Sequence, residues 1–104
     1  KRRGCVMEKV VWRATVREGM EAEYVRRHDE IWPEMVAALK EAGVCNYTIW
    51  KDGRELFGYY ECEKGAEYAL KYQAENETVC CWEKSMEPVM EMSSHKPIKV
   101  FDLK

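Results

Sequence analysis

The chain has 104 residues, with 17 Lys plus Arg against 19 Asp plus Glu and a formal net charge of −2. That length points to one domain, residues 1–104, which buries roughly two-thirds of the surface its unfolded form exposes. Both charge signs are interspersed and no basic block exists, which excludes a nucleic-acid or anionic-membrane surface. No apolar run approaches the roughly 20 residues needed to span a bilayer.

Cys5 to Val16 alternates, with Val6, Val10, Trp12, Ala14 and Val16 sharing parity and Glu8 the exception. This period of two predicts a half-buried strand. Arg17-Glu18-Gly19 reads as a turn, and a helix is expected from about Met20 to Ala42. Pro33 removes a backbone donor and clashes with the preceding turn, so a bend or split is expected between Asp29 and Pro33. Gly43 stands where a left-handed helix cap is wanted.

A second strand is expected over Val44 to Trp50 and a third over Glu55 to Glu63, joined through Asp52-Gly53. A short helix follows from Ala66 to Ala74. Asn76 or Thr78 caps another that runs to about Met92, with Pro88 a complication near its end. Ser93 to Pro97 reads as polar loop, with His95 a solvated loop residue, and Ile98 to Leu103 as the last strand. The order β-α-β-β-α-α-β is close to the split β-α-β plan. The fold class expected is therefore α+β, ferredoxin-like, with an antiparallel sheet. Helices on one face leave the other in need of cover, and Trp12, Tyr59, Tyr60 and Phe101 are too much aromatic surface to leave bare.

The five cysteines do not read as a disulfide framework. Their number is odd, Cys80 and Cys81 are adjacent, and no secretory apolar segment precedes the domain. No C-x-x-C spacing suggests zinc. They are expected to be reduced, mostly buried small hydrophobes in a cytosolic protein.

The segment Glu23-Tyr24-Val25-Arg26-Arg27-His28-Asp29-Glu30-Ile31-Trp32-Pro33-Glu34 carries the most chemistry. Residues three and four apart share a helix face, so Tyr24, His28, Ile31 and Met35 align. An imidazole with an ordinary pKa of about 6.5 gains and loses protons near neutrality. Spacing alone leaves two readings open, a core histidine with its hydrogen bonds satisfied and a proton-transfer group.

The pattern Glu23-Tyr24-x-x-x-His28-x-x-Ile31-Trp32-Pro33-Glu34, then Gly43-x-x-Asn46-Tyr47 and a helix centred on Trp82, resembles the L-rhamnose mutarotase family from about Trp12 to Leu103. The resemblance implies a cofactor-free aldose 1-epimerase that exchanges the α and β anomers of L-rhamnose or a related 6-deoxy sugar such as L-fucose. It also implies a homodimer of the dimeric α+β barrel kind. On the same resemblance His28 moves the proton, while Tyr24, Tyr47 and Trp82 contact the sugar. Family members carry two consecutive tryptophans where this chain reads Trp82-Glu83. Glu83 replaces an apolar platform with a hydrogen-bond acceptor, either lining the pocket or standing as an ordinary exposed helix charge.

Plainer readings exist for the aromatic residues: Tyr24 and Tyr47 as rings packed on the sheet, Trp82 as helix-to-core packing. Nothing matches a phosphate loop, a catalytic triad signature or a metal-binding H-E-x-x-H helix, so neither cofactor nor metal is expected. Two competing functions remain. The same architecture hosts monooxygenases and haem-binding proteins, in which His28 would ligate the iron. A non-catalytic sugar-binding module is the other.

Overall fold

Alternation along β1 decides which side of the sheet is closed, and the computed structural model describes it within residues 7–104. Cys5 and Val6, the start of the expected first strand, lie outside the described residues. Elements run β1 (Glu8–Val16), α1 (Glu21–Asp29), α2 (Pro33–Glu41), β2 (Val44–Asp52), β3 (Glu55–Cys62), α3 (Ala66–Glu75), α4 (Glu77–Met86) and β4 (Met90–Met92). The strands form a four-stranded sheet in the order β2-β3-β1-β4 with every pairing antiparallel. This is an α+β fold of the ferredoxin-like kind.

Ala14 and Val16 on β1 and Leu56, Gly58, Tyr60 and Cys62 on β3 face the helices and are buried, while Val11, Arg13 and Phe57 face the other way and are exposed. Leu56, Val79, Val89, Tyr24, Met35, Trp82 and Met86 share one core cluster between sheet and helices. A second cluster joins Ala42, Val44, Tyr60, Cys62 and Ala69. Burial at this level stabilises by roughly 1.5–3 kcal/mol for each fully covered Val, Leu or Met side chain.

The long helix expected from Met20 splits in two. Pro33 sits in the first turn of α2, where its missing N–H is one of the unpaired donors in any case. Trp32 before it is extended, with φ −61° and ψ 133°, as a residue preceding proline prefers. Gly43 closes α2 at φ +84°, and its N–H donates to the Lys40 carbonyl. Of the two candidate caps for α4 it is Asn76 whose side chain accepts from the Val79 N–H, at 3.0 Å.

Four expectations need correction. α4 ends at Met86 rather than near Met92, because Pro88 has no N–H to extend the ladder. The last strand is Met90–Met92, which pairs with Ala14–Val16 at the sheet edge, whereas no strand forms over residues 98–103. That segment lies beside β1, with Asp102 4.0 Å from Lys9, but Ile98, Val100, Phe101 and Leu103 stay 75–87% exposed. Trp12 and Tyr60 do not belong to the open face: Tyr60 is 3% exposed in the helix-side core, and Trp12 packs beside it. Finally, Cys62 is buried but Cys80 and Cys81 are exposed, since both lie on the outer side of α4.

Candidate active site

α1 contributes Tyr24 and His28 one turn apart. Tyr24 is 4% exposed, and its hydroxyl is buried with no hydrogen-bond partner among the described residues. Such an orphan costs about 1–3 kcal/mol unless something meets it. Burial pushes that phenol up to about 12, so it stays a proton donor at neutral pH. The His28 ring lies 4.3 Å from the Tyr24 ring, and its Nδ1 is 3.1 Å from the Tyr24 carbonyl oxygen. A carbonyl only accepts, so Nδ1 carries the proton and Nε2 keeps its lone pair. Burial lowers the His28 pKa from its ordinary value, against opposing pulls from the Tyr24 carbonyl and Asp29. The imidazole is thus held mostly neutral, with a bare nitrogen suited to accept a proton.

α4 brings Trp82, 8% exposed, edge-on to His28 with ring centroids 5.4 Å apart. Trp32 meets the same indole edge-on at 5.2 Å. Arg27 ties the two helices together. Its Nε donates to Glu23 Oε2 at 2.6 Å and its Nη1 to the Ser85 carbonyl at 2.6 Å. A cavity of about 250 Å³ lies on this side, lined by Arg26, Arg27, Glu30, Trp32, Trp82 and Ser85. His28 is not among its lining residues, but Trp82, which meets the His28 ring edge-on, forms one of its walls.

Tyr47 reaches the helix side through a break in strand register. Asn46 and Tyr47 both lie opposite Tyr60, between the pairs Cys45↔Glu61 and Thr48↔Tyr59. Asn46 takes φ +50°, a value tolerated better by Asn than by most residues. The extra residue is a β-bulge, which re-aims the side chain that follows. Tyr47 packs on the Tyr60 ring at 4.8 Å and accepts a hydrogen bond from Trp12 Nε1 at 2.9 Å. Burial drives its phenol well above the ordinary value, with the Trp12 bond opposing and the charges of Tyr60, Tyr24 and Glu83 adding.

Glu83 is exposed over much of its surface, yet burial raises its carboxyl pKa. Its charge also raises the pKa of the Tyr47 and Tyr60 hydroxyls.

The five residues singled out by sequence therefore fall on the same side of the sheet, with Tyr24, His28 and Trp82 in ring contact and Tyr47 and Glu83 beside them. Two further residues belong to the group. Tyr60 packs against Tyr47 with the rings tilted by 45° and accepts from Gln73 Nε2 at 3.3 Å, and Trp12 donates to the Tyr47 hydroxyl. Strand parity was the available signal, since Trp12 shares parity with buried Ala14 and Val16. Among the described residues no group of three or more His, Cys, Asp or Glu is arranged to hold a metal ion, and no helix is long and apolar enough to cross a membrane.

A sequence profile of the L-rhamnose mutarotase family matches residues 9–103. An L-rhamnose mutarotase of Oceanobacillus iheyensis is 42% identical over 96 residues, covering 90% of this chain and 84% of its own. One from Listeria monocytogenes is 40% identical over 100 residues, 94% of each. The crystal structure of an L-rhamnose mutarotase from Formosa agariphila superposes with a TM-score of 0.77 at 28% identity, covering 93% of this chain and 99% of that one. With a matched span that takes in the Tyr24–His28 helix, the bulged β2 and α4, the chain belongs to the L-rhamnose mutarotase family, whose members are isomerases.

Proposed function

We propose that this chain is an aldose 1-epimerase that interconverts the α and β anomers of L-rhamnose or a related 6-deoxy sugar such as L-fucose. In this reading His28 is the general acid and base, and Tyr24, Tyr47, Trp82 and Glu83 hold the sugar. The observation that carries it is an imidazole held through Nδ1 by the Tyr24 carbonyl, beside a buried hydroxyl that has no hydrogen-bond partner among the described residues. A sugar hydroxyl supplies that missing partner.

Ring opening takes the proton from O1–H, forms the C1=O double bond, breaks C1–O5 and places a proton on O5. O1 and O5 share carbon C1, so one nitrogen serves both. The bare Nε2 of His28 accepts the O1 proton, and the imidazolium so formed delivers it to O5. Rotation about C1–C2 turns the aldehyde, and the same steps in reverse close the ring on its other face. Mutarotation already proceeds in water, so general acid–base help of about 10²–10⁴-fold is enough. Trp82 offers an apolar plane to the C–H face of the ring, and Glu83 accepts a hydrogen bond from a hydroxyl.

The reading extends to a homodimer built on the open sheet face. Trp50, 67% exposed, lies opposite Phe57, 39% exposed, and Val11 is 43% exposed on the same side. A second copy covers this apolar surface better than water does. The free thiols of Cys62, Cys80 and Cys81 support a reducing, cytoplasmic place of work.

Saturation transfer between the α and β anomer signals in NMR tests the activity directly. Faster exchange for L-rhamnose or L-fucose on adding the protein is the expected result. Spontaneous rates across a panel of 6-deoxy sugars would sink the proposal.

A further inference from the structure

In the sheet order β2-β3-β1-β4 the strands β1 and β2 are not neighbours, because β3 lies between them. Yet Trp12 on β1 donates from Nε1 to the Tyr47 hydroxyl on β2 at 2.9 Å. The indole has to cross β3 to do this, and it crosses at Gly58, its own partner in the β1–β3 register. A Cβ added at Gly58 would stand 2.0 Å from Trp12 Cε2 and 2.2 Å from Nε1, far closer than any real contact. The ring therefore lies directly on the β3 backbone, in a slot that exists because residue 58 has no side chain. Gly58 has no left-handed backbone to explain it, and close approach is the remaining physical reason for glycine inside a strand.

A phenol has one proton to give and lone pairs to accept with. Trp12 Nε1–H can only donate, so it occupies a lone pair of Tyr47 and leaves that proton free for another acceptor. The bulge at Asn46 turns Tyr47 inward, but a bulge sets the backbone and not the hydroxyl. The geometry points to Trp12 as a positioning residue for the sugar site: seated in the Gly58 slot, it holds the Tyr47 hydroxyl so that its proton is offered to a sugar oxygen. This rests on the function proposed above. It adds a three-strand device, Trp12 over Gly58 onto Tyr47, that acts on substrate binding through Tyr47 alone.

The test is a cycle of Trp12→Phe, Tyr47→Phe and the double variant, each assayed for anomer exchange against sugar concentration. A group that holds ground state and transition state alike changes KM and spares kcat. Trp12→Phe is expected to raise KM about 3–10-fold, the size of one hydrogen bond, with kcat within about twofold of the parent. In the Tyr47→Phe background the same change should add nothing, since its only route is gone. Independent effects that multiply, or an unchanged KM in Trp12→Phe, overturn the assignment.

A second readout needs no substrate. The Trp12 indole N–H resonance should move upfield in Tyr47→Phe, and likewise in Gly58→Ala, which displaces the ring while leaving both partners chemically intact. Gly58→Ala also serves if Trp12→Phe does not fold. A resonance indifferent to both changes refutes the contact. Should the parent protein fail to exchange anomers, the functional reading falls while the indole resonance still decides whether the clamp exists.

Discussion

Leu56 and Phe57 are consecutive residues of β3, one 0% exposed beneath the helices and the other 39% exposed on the bare side of the sheet. Every polar group assigned to sugar chemistry stands on Leu56's side, while the Phe57 side carries apolar and charged residues such as Val11, Trp50 and Arg13, whose guanidinium lies 5.7 Å over the Phe57 ring. The contrast shows how a single sheet separates two tasks. The helix-covered face excludes water, lowers His28's affinity for a proton and strands the Tyr24 hydroxyl. On the open face the described side chains include solvent-exposed apolar and charged groups such as Val11, Trp50 and Arg13.

The largest expected effect is on the covered side. Replacing His28 with Ala should cost about 10²–10⁴-fold in anomer exchange with the thermal transition little changed. Activity retained in that variant would take the proton-transfer role away from the helix face altogether.

Adjacent substitutions on β3 come next. Leu56→Ala should destabilise by about 2–5 kcal/mol in denaturant unfolding, because it opens a cavity in the core. Phe57→Ala should leave the fold largely intact and instead weaken self-association in sedimentation. Equal stability losses at the two positions would erase the distinction between the faces.

The pH dependence sharpens the same comparison. His28 has its pKa lowered by burial, so the folded protein binds its proton less readily than the unfolded chain does. Stability and the active neutral imidazole are then fully present above about pH 6.5 and are lost as pH falls through the lower folded value. The acid limb of kcat/KM should accordingly lie below 6.5. A limb above that value would mean that the ring is not shielded.

Smallest of all should be Arg26→Ala on the outer surface of α1. Arg26 pairs with Glu23 at 2.7 Å and Glu30 at 2.9 Å, but it is exposed. Solvent-screened pairs of this kind contribute about 0.2–1 kcal/mol, measurable only as a slight shift in the unfolding midpoint.

Much of this molecule was legible in one dimension. Alternation marked β1, the Pro33 break split the first helix, Gly43 ended it, and the spacing of Tyr24 and His28 put them on one face. Other features depend on partners far along the chain. The apolar pattern of residues 98–103 reads as a strand, but a strand needs a neighbour, and Met90–Met92 already holds the β1 edge. Tyr60 reads equally well on either face, because two adjacent tyrosines do not reveal which of them points inward.

By itself the sequence determined the periodicities, the proline and glycine punctuation and the presence of a titratable group on an apolar helix face, since these depend only on residues within a turn or a strand. Only tertiary structure decided that a bulge at Asn46 turns Tyr47 inward, that Gly58 admits an indole across the intervening strand, and that the Tyr24 hydroxyl has no hydrogen-bond partner among the described residues. Those outcomes come from register and close packing between segments tens of residues apart, which no local pattern encodes.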